Sequence, residues 1–289
     1  MIKLSAFSDE ASKDLKGQIE ALCRNDIRLT DVRSIDGINV KDMSQTQAKE
    51  YSTTLKNEGI LVHMIGSPLG KVDISIERGV LLDTTKHLCE IAKTFGSDKI
   101  RMFSFYNAYN EVERVFELLC LMVEVAKEYS ITLCHENEKD IYGDTLDRVC
   151  EIMEKVKGLK FIYDPANYIQ VGEAPLKTKS ALVESGLSDF FHIKDVIWES
   201  GEIVPAGKGS GLIPEILSEI KGDTVLTLEP HLKVFDAYAS IDGSELKTKY
   251  SFGSNDEAFD AACLALKGLL ISAGYINKNG IFVRKEELK

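Results

Sequence analysis

Four stretches of the 289-residue chain end an apolar, strand-like run with a side chain that can bind a metal ion: ITLCH is followed by Glu136, LKFIY by Asp164, DFF by His192 and TVLTL by Glu229. Three carboxylates and an imidazole gathered in a partly buried place repel one another when ionised, and a divalent cation is the usual compensation. Mostly hard oxygen with one nitrogen suits Mn²⁺, Mg²⁺ or Co²⁺, admits Zn²⁺ and argues against a thiolate site. Taken singly, each residue has a structural explanation. A strand-ending acid caps the next helix, and a histidine after FF sits in the core. Four such residues on consecutive strands point to one site.

Eight apolar runs recur along the chain, starting at residues 2, 29, 60, 99, 131, 160, 189 and 224. Helical patterns lie between them, clearest in Val112, Val115, Phe116, Leu119, Met122, Val123 and Ala126, whose steps of three and four lay one apolar stripe along a helix. Phe259, Cys263, Leu266 and Leu270 repeat the pattern near the end. Eight strand-plus-helix units predict an α/β fold, a closed (β/α)8 TIM barrel, in which functional residues sit where strands end. An open doubly wound sheet is disfavoured, because no glycine-rich turn follows the first strand. Residues 1–289 read as a single domain with one elaborated loop at about 233–253, carrying Phe235, Tyr238 and Tyr250.

A net charge of −11 puts the average surface potential on the wrong sign for nucleic acid or anionic lipid. The most apolar window, VFELLCLMVEVA, is too short for a membrane span and contains Glu117 and Glu124. The first residues lack the apolar core of a secretory leader. Six scattered cysteines without a CxxC pair read as reduced thiols of a cytoplasmic protein.

The elements LCHENE at 133–138, FIYDPAN at 161–167, FHIKD at 191–195 and LTLEP at 226–230 resemble, in order and spacing, those of the xylose isomerase-like TIM barrels. That family includes sugar phosphate isomerases and epimerases, ketose 3-epimerases, inosose dehydratases and zinc-dependent apurinic endonucleases, and the resemblance spans about residues 1–275. It implies that Glu136, Asp164, His192 and Glu229 hold one divalent metal ion. Glu136 and Glu229 would double as the acid/base pair on opposite faces of a small sugar, keto-sugar, sugar phosphate or polyol. The expected activity is isomerisation or epimerisation. The alternatives are a lyase of the inosose dehydratase type and a sugar-binding module without turnover. Five histidines and the acidic charge set the endonuclease reading aside. Relatives are often dimers or tetramers; a homodimer is the expected assembly, though no feature of the chain fixes it.

Further residues join on weaker grounds. His63, read as near the end of the third strand, and Arg33, at the end of the second strand beside Asp31, are expected to touch substrate. Lys194 shares the alternation of His192 and is expected to face the mouth. Asn167 stands where many relatives have a histidine, which keeps hydrogen bonding and removes a titratable group. Asp195 is expected to orient neighbouring groups behind the ligands. His135 should point away from the barrel interior, toward the helices. The loop AGKGSG at 206–211 precedes a helix and could bind an anion through its N–H groups, but its spacing fits neither phosphate-binding pattern.

Overall fold

The computed structural model describes residues 1–235 and 246–285. Barrel strands β1 (Ile2–Ala6), β2 (Leu29–Val32), β3 (Leu61–Leu69), β4 (Lys99–Met102), β5 (Thr132–Glu136), β6 (Lys160–Tyr163), β7 (Phe190–Ile193) and β8 (Thr224–Leu228) match the eight apolar runs. Helices follow each in turn: α1 (Leu15–Arg24), α2 (Gln45–Asn57), α3 (Arg78–Phe95), α4 (Val112–Glu128), α5 (Leu146–Lys155), α6 (Pro165–Gln170) with α7 (Pro175–Lys179), α8 (Ile213–Glu219) and α9 (Asn255–Ser272). Parallel ladders join β2 through β8 in sequence, and β8 closes back on β1 in register Ile2 to Thr224. No helix among the described residues is long and apolar enough to cross a membrane.

The two-residue period of each strand divides the molecule. Outward positions such as Leu4, Ile100, Leu133, Phe161, Phe191 and Leu226 join the helices in one continuous apolar core. Inward positions build the lumen, where Met64, Cys134, Ile162 and Phe190 form a separate small apolar plug. Beside the plug the lumen is polar. Asp31 accepts hydrogen bonds from Ser5 Oγ at 2.7 Å and Thr227 Oγ1 at 2.9 Å.

Two features lay outside the sequence pattern. The seam between β1 and β2 carries side-chain bonds instead of a ladder: Thr30 Oγ1 donates to the Ala6 carbonyl at 3.0 Å and lies 3.1 Å from Ser8 Oγ. A C-terminal hairpin, β9 (Tyr275–Lys278) and β10 (Ile281–Arg284), lies antiparallel on β1, pairing Ile2 with Phe282 and Lys3 with Ile281. Gly70, just after β3, has φ +84°, and a Cβ there would lie 2.1 Å from the Phe103 carbonyl oxygen, so only glycine fits the turn. Of the expected 233–253 loop, residues 236–245, including Tyr238, lie outside the described residues. Phe235 is buried, and Tyr250 stacks on Phe252.

Phe282, 1% exposed, anchors the hairpin in the outer core. Phe282→Ala is expected to cost about 3–5 kcal/mol in urea unfolding, the range for emptying a buried aromatic site. A loss below about 1 kcal/mol would show that the hairpin is not part of the barrel's cooperative core.

Candidate metal centre

Each candidate ligand owes its place to a strand end. Glu136 is the last residue of β5, inward by alternation with Cys134, and His192 follows Phe190 on the inner face of β7. Glu229 directly follows β8. Asp164 follows β6 and becomes the N-cap of α6, which Pro165 starts; its Oδ1 accepts from Ala166 N at 2.8 Å and Asn167 N at 3.0 Å. One ligand atom from each of the four lies within 4.8 Å of all the others, and all four residues are buried. Asp164 Oδ2, Glu229 Oε2 and His192 Nε2 have no hydrogen-bond partner. Buried oxygens left open beside one another are what a cation would use, so the donor set fits a divalent metal ion.

The two glutamates are bridged twice. His192 Nδ1 lies 2.7 Å from Glu136 Oε1 and 3.0 Å from Glu229 Oε2. On the other side, Arg101 Nη1 donates to Glu136 Oε2 at 3.1 Å and to Glu229 Oε1 at 3.3 Å. Arg33 Nη1 also donates to Glu229 Oε1, at 3.0 Å. Arg33 is held from behind: Asp9 takes Nε and Nη2 in a fork at 2.9 and 3.0 Å, Glu10 takes Nη2 at 3.3 Å, and Ser34 Oγ donates to Asp9. Phe7 packs between the two guanidinium groups, 4.5 Å from Arg33 and 4.7 Å from Arg101, with the His192 ring edge-on to it.

These contacts set the charge states. Burial alone would strip the proton from His192, but the Glu136 and Glu229 carboxylates outweigh it and push the imidazole up to about 10. Burial raises Glu229 too, yet the neighbouring His192 and His231 imidazoles hold it well below the carboxylate range. Glu136 is likewise low despite its burial, with His192 the main opposing influence. Asp164 goes the other way. Burial lifts it to about 6, with Glu136 and Glu229 adding to the rise and Lys194 resisting it.

Of the other expected residues, Arg33 reaches Glu229. Lys194 Nζ lies 3.1 Å from Asp164 Oδ2, an ion contact outside hydrogen-bond angles. Asn167 Nδ2 donates to the Asn137 carbonyl at 2.8 Å and leaves its Oδ1 without a partner. His63 does not reach the mouth. Its strand runs to Leu69, four residues beyond the apolar run, so His63 is the third residue from the base. There it meets Asp31 Oδ1 at 2.9 Å and lines a cavity with Leu29, Leu61 and Lys99.

Asp195 also departs from expectation. Its carboxylate accepts the N–H groups of Val196, Gly207, Gly209 and Gly211 at 2.8 to 3.0 Å, so it shapes the AGKGSG loop and does not brace a ligand. Three N–H groups that could have cradled an anion are thereby engaged. His135 points away from the lumen, as alternation requires, with Nε2 3.0 Å from Ser104 Oγ.

Sequence reasoning missed Arg101, Asp9, Glu10 and His231. Arg101 was legible in principle, two residues after inward Lys99 on β4. Asp9 and Glu10 sit in a short turn after β1 that carries no strand-end signal. His231 has a left-handed backbone, φ 48°, and its N–H donates to Glu10 Oε2 at 2.8 Å. A positive φ is uncommon at any non-glycine residue, so no pattern in the sequence announces that geometry.

A search of curated proteins finds no significant match to the sequence. Among solved structures, the chain is similar to a D-psicose 3-epimerase crystallised with D-fructose (TM-score 0.71, 16% identity, covering 94% of this chain and 99% of that one). It is also similar to the probable 3-DHS dehydratase AsbF of Bacillus anthracis (TM-score 0.69, 15% identity, 92% and 99%). A third likeness is to the IOLI protein with a bound zinc atom (TM-score 0.68, 16% identity, 94% and 97%). At these identities the likeness is one of fold. Residues 20–242 match the family model described as xylose isomerase-like TIM barrel, and the chain belongs to that family.

Proposed function

We propose that the protein is a divalent-metal-dependent isomerase or epimerase of a small sugar, keto-sugar or polyol. The convergence of Glu136, Asp164, His192 and Glu229 on one buried point carries the reading. A cation held there would polarise a substrate hydroxyl or carbonyl oxygen and so ease loss of the proton on the adjoining carbon. The protein's own groups then have to bind the substrate and move that proton.

Glu136 and Glu229 are the proton-transfer pair, and they are not equivalent. A carboxylate oxygen has about two acceptor sites. Glu136 Oε2 has one used by Arg101 and keeps one for an incoming proton. Glu229 Oε1 takes both Arg33 and Arg101, and must lose one of them before accepting a proton. Glu136 is therefore the readier base, and Glu229 returns or receives the proton after an arginine shifts.

Substrate contacts follow from what the structure leaves over. Among the described residues, Arg33 spends four of its five N–H groups on Asp9, Glu10 and Glu229, leaving one Nη1 hydrogen for a substrate oxygen. Asn167 Oδ1 can accept a substrate hydroxyl, and Lys194 Nζ stands beside Asp164 to donate to one.

After Mn²⁺ loading, elemental analysis is expected to find about one divalent ion per chain in wild type. Glu229→Gln and His192→Ala should weaken binding by at least about tenfold while circular dichroism stays unchanged. No bound metal under any loading condition would end the metal-dependent reading and leave a sugar-binding module.

Across a panel of keto-sugars in D₂O, at least one is expected to gain deuterium beside its carbonyl. Glu136→Gln should slow that exchange by roughly 10²–10⁴. Exchange undiminished in this variant would remove Glu136 from the proton-transfer role.

A further inference from the structure

Each carboxylate of the centre is tied at one oxygen and turned inward at the other. Glu136 Oε2 is held by Arg101, and Glu229 Oε1 by Arg101 and Arg33. Asp164 Oδ1 is held by the first N–H groups of α6. The remaining oxygens meet His192 and Lys194: His192 Nδ1 lies 2.7 Å from Glu136 Oε1 and 3.0 Å from Glu229 Oε2, and Lys194 Nζ lies 3.1 Å from Asp164 Oδ2. The sorting is complete over all three residues, and two different devices produce it: arginines for the glutamates, a helix N-terminus for the aspartate.

We propose that Arg101 and Arg33 select the ligating oxygen of Glu136 and Glu229, holding each glutamate to single-oxygen ligation and so making the centre selective for a compact divalent cation such as Mn²⁺ over Ca²⁺. The inference rests on the reading that this cluster holds a divalent cation. Ca²⁺ collects six to eight oxygens and commonly draws on both oxygens of a carboxylate, whereas smaller divalent cations hold to six ligands. To bind through both oxygens, Glu229 would have to surrender one of the two arginines that fill Oε1, and Glu136 would have to spend the last acceptor site of Oε2 beside Arg101.

The guanidinium groups are not free to follow a departing partner. Arg101 is pinned by the backbone, with Nη2 donating to the Gly66 carbonyl at 3.2 Å and Nε to the Ser67 carbonyl at 3.4 Å. Arg33 is pinned by the Asp9 fork and by Phe7 and Phe235 on its faces, at 4.5 and 4.9 Å. Both are at most 4% exposed, so a broken bond would leave a buried charged donor unpaired. That penalty falls on a cation needing both oxygens and spares one needing a single oxygen.

A plain charge effect makes a different prediction. Two positive charges beside the centre weaken every divalent cation alike, so removing one would raise Mn²⁺ and Ca²⁺ affinity together and leave their ratio unchanged. Control of ligation changes the ratio. Titration calorimetry with each metal alone, on wild type, Arg101→Met and Arg101→Lys, separates the two. Arg101→Lys keeps the charge and loses the fork, and it carries the test should the methionine variant fail to fold by circular dichroism.

Wild type is expected to bind Mn²⁺ at least about 100-fold more tightly than Ca²⁺, and both variants should narrow that ratio by about tenfold through gained Ca²⁺ affinity. A ratio preserved in both variants, or a wild type that binds Ca²⁺ as tightly as Mn²⁺, would overturn the proposal with the metal centre itself intact. Absence of binding by either cation to wild type would overturn the metal-centre reading along with it.

Discussion

Like-charge repulsion at the barrel mouth is the constraint around which this structure is arranged. Two carboxylates about 4 Å apart repel by about 4 kcal/mol at the effective dielectric of a protein site, and here three meet within 4.8 Å of one another with water largely excluded. The protein surrounds them with His192, Arg101, Arg33 and Lys194, each in contact with at least one. Arg33 needs partners of its own, which Asp9 and Glu10 supply from the turn after β1, and Arg101 takes the Gly66 and Ser67 carbonyls. Compensation thus spreads outward in shells of alternating sign, from the four strand ends to β1, β2 and β4.

That spreading explains what was legible in the sequence. Glu136, Asp164, His192 and Glu229 could be found because each ends an apolar run, and strand alternation plus the geometry of a barrel then forces them together. The eight βα units were legible for the same reason: periods of two and of three to four residues are physical consequences of burying one face. Arg33 and Lys194 followed the same alternation and lie where it puts them. The groups that neutralise the clustered carboxylates were less accessible. Asp9 and Glu10 lie in an irregular turn, and their roles depend on Arg33, which is near them only in the folded state.

His63 and Asp195 show the limits of local reading more sharply. His63 was displaced because β3 continues through Gly66, Ser67 and Pro68, residues that look like the end of a strand but here remain extended beside β4. Asp195 carries the expected kind of role, holding something in place, but its object is the glycine-rich loop. A Cβ at Gly209 would lie 2.3 Å from Asp195 Oδ1, so the glycines are there to let the backbone close on the carboxylate. A loop that looks from its composition like an anion cradle has been given an internal anion.

The edge pairing of β1 has a consequence for how the chain comes together during synthesis. The backbone of β1 pairs with β8 and with the hairpin strand β10, and with no strand near it in sequence. Its first partner is roughly 220 residues downstream, so β1 waits for the synthesis of the seven barrel strands that follow it. Long-range pairings of this kind slow folding, because loop closure must precede the contacts that reward it. The run of β2 to β7 can assemble as neighbours while β1 is still unpaired. Closure of the barrel falls to β8, and with it the arrival of Glu229, the carboxylate that follows that strand.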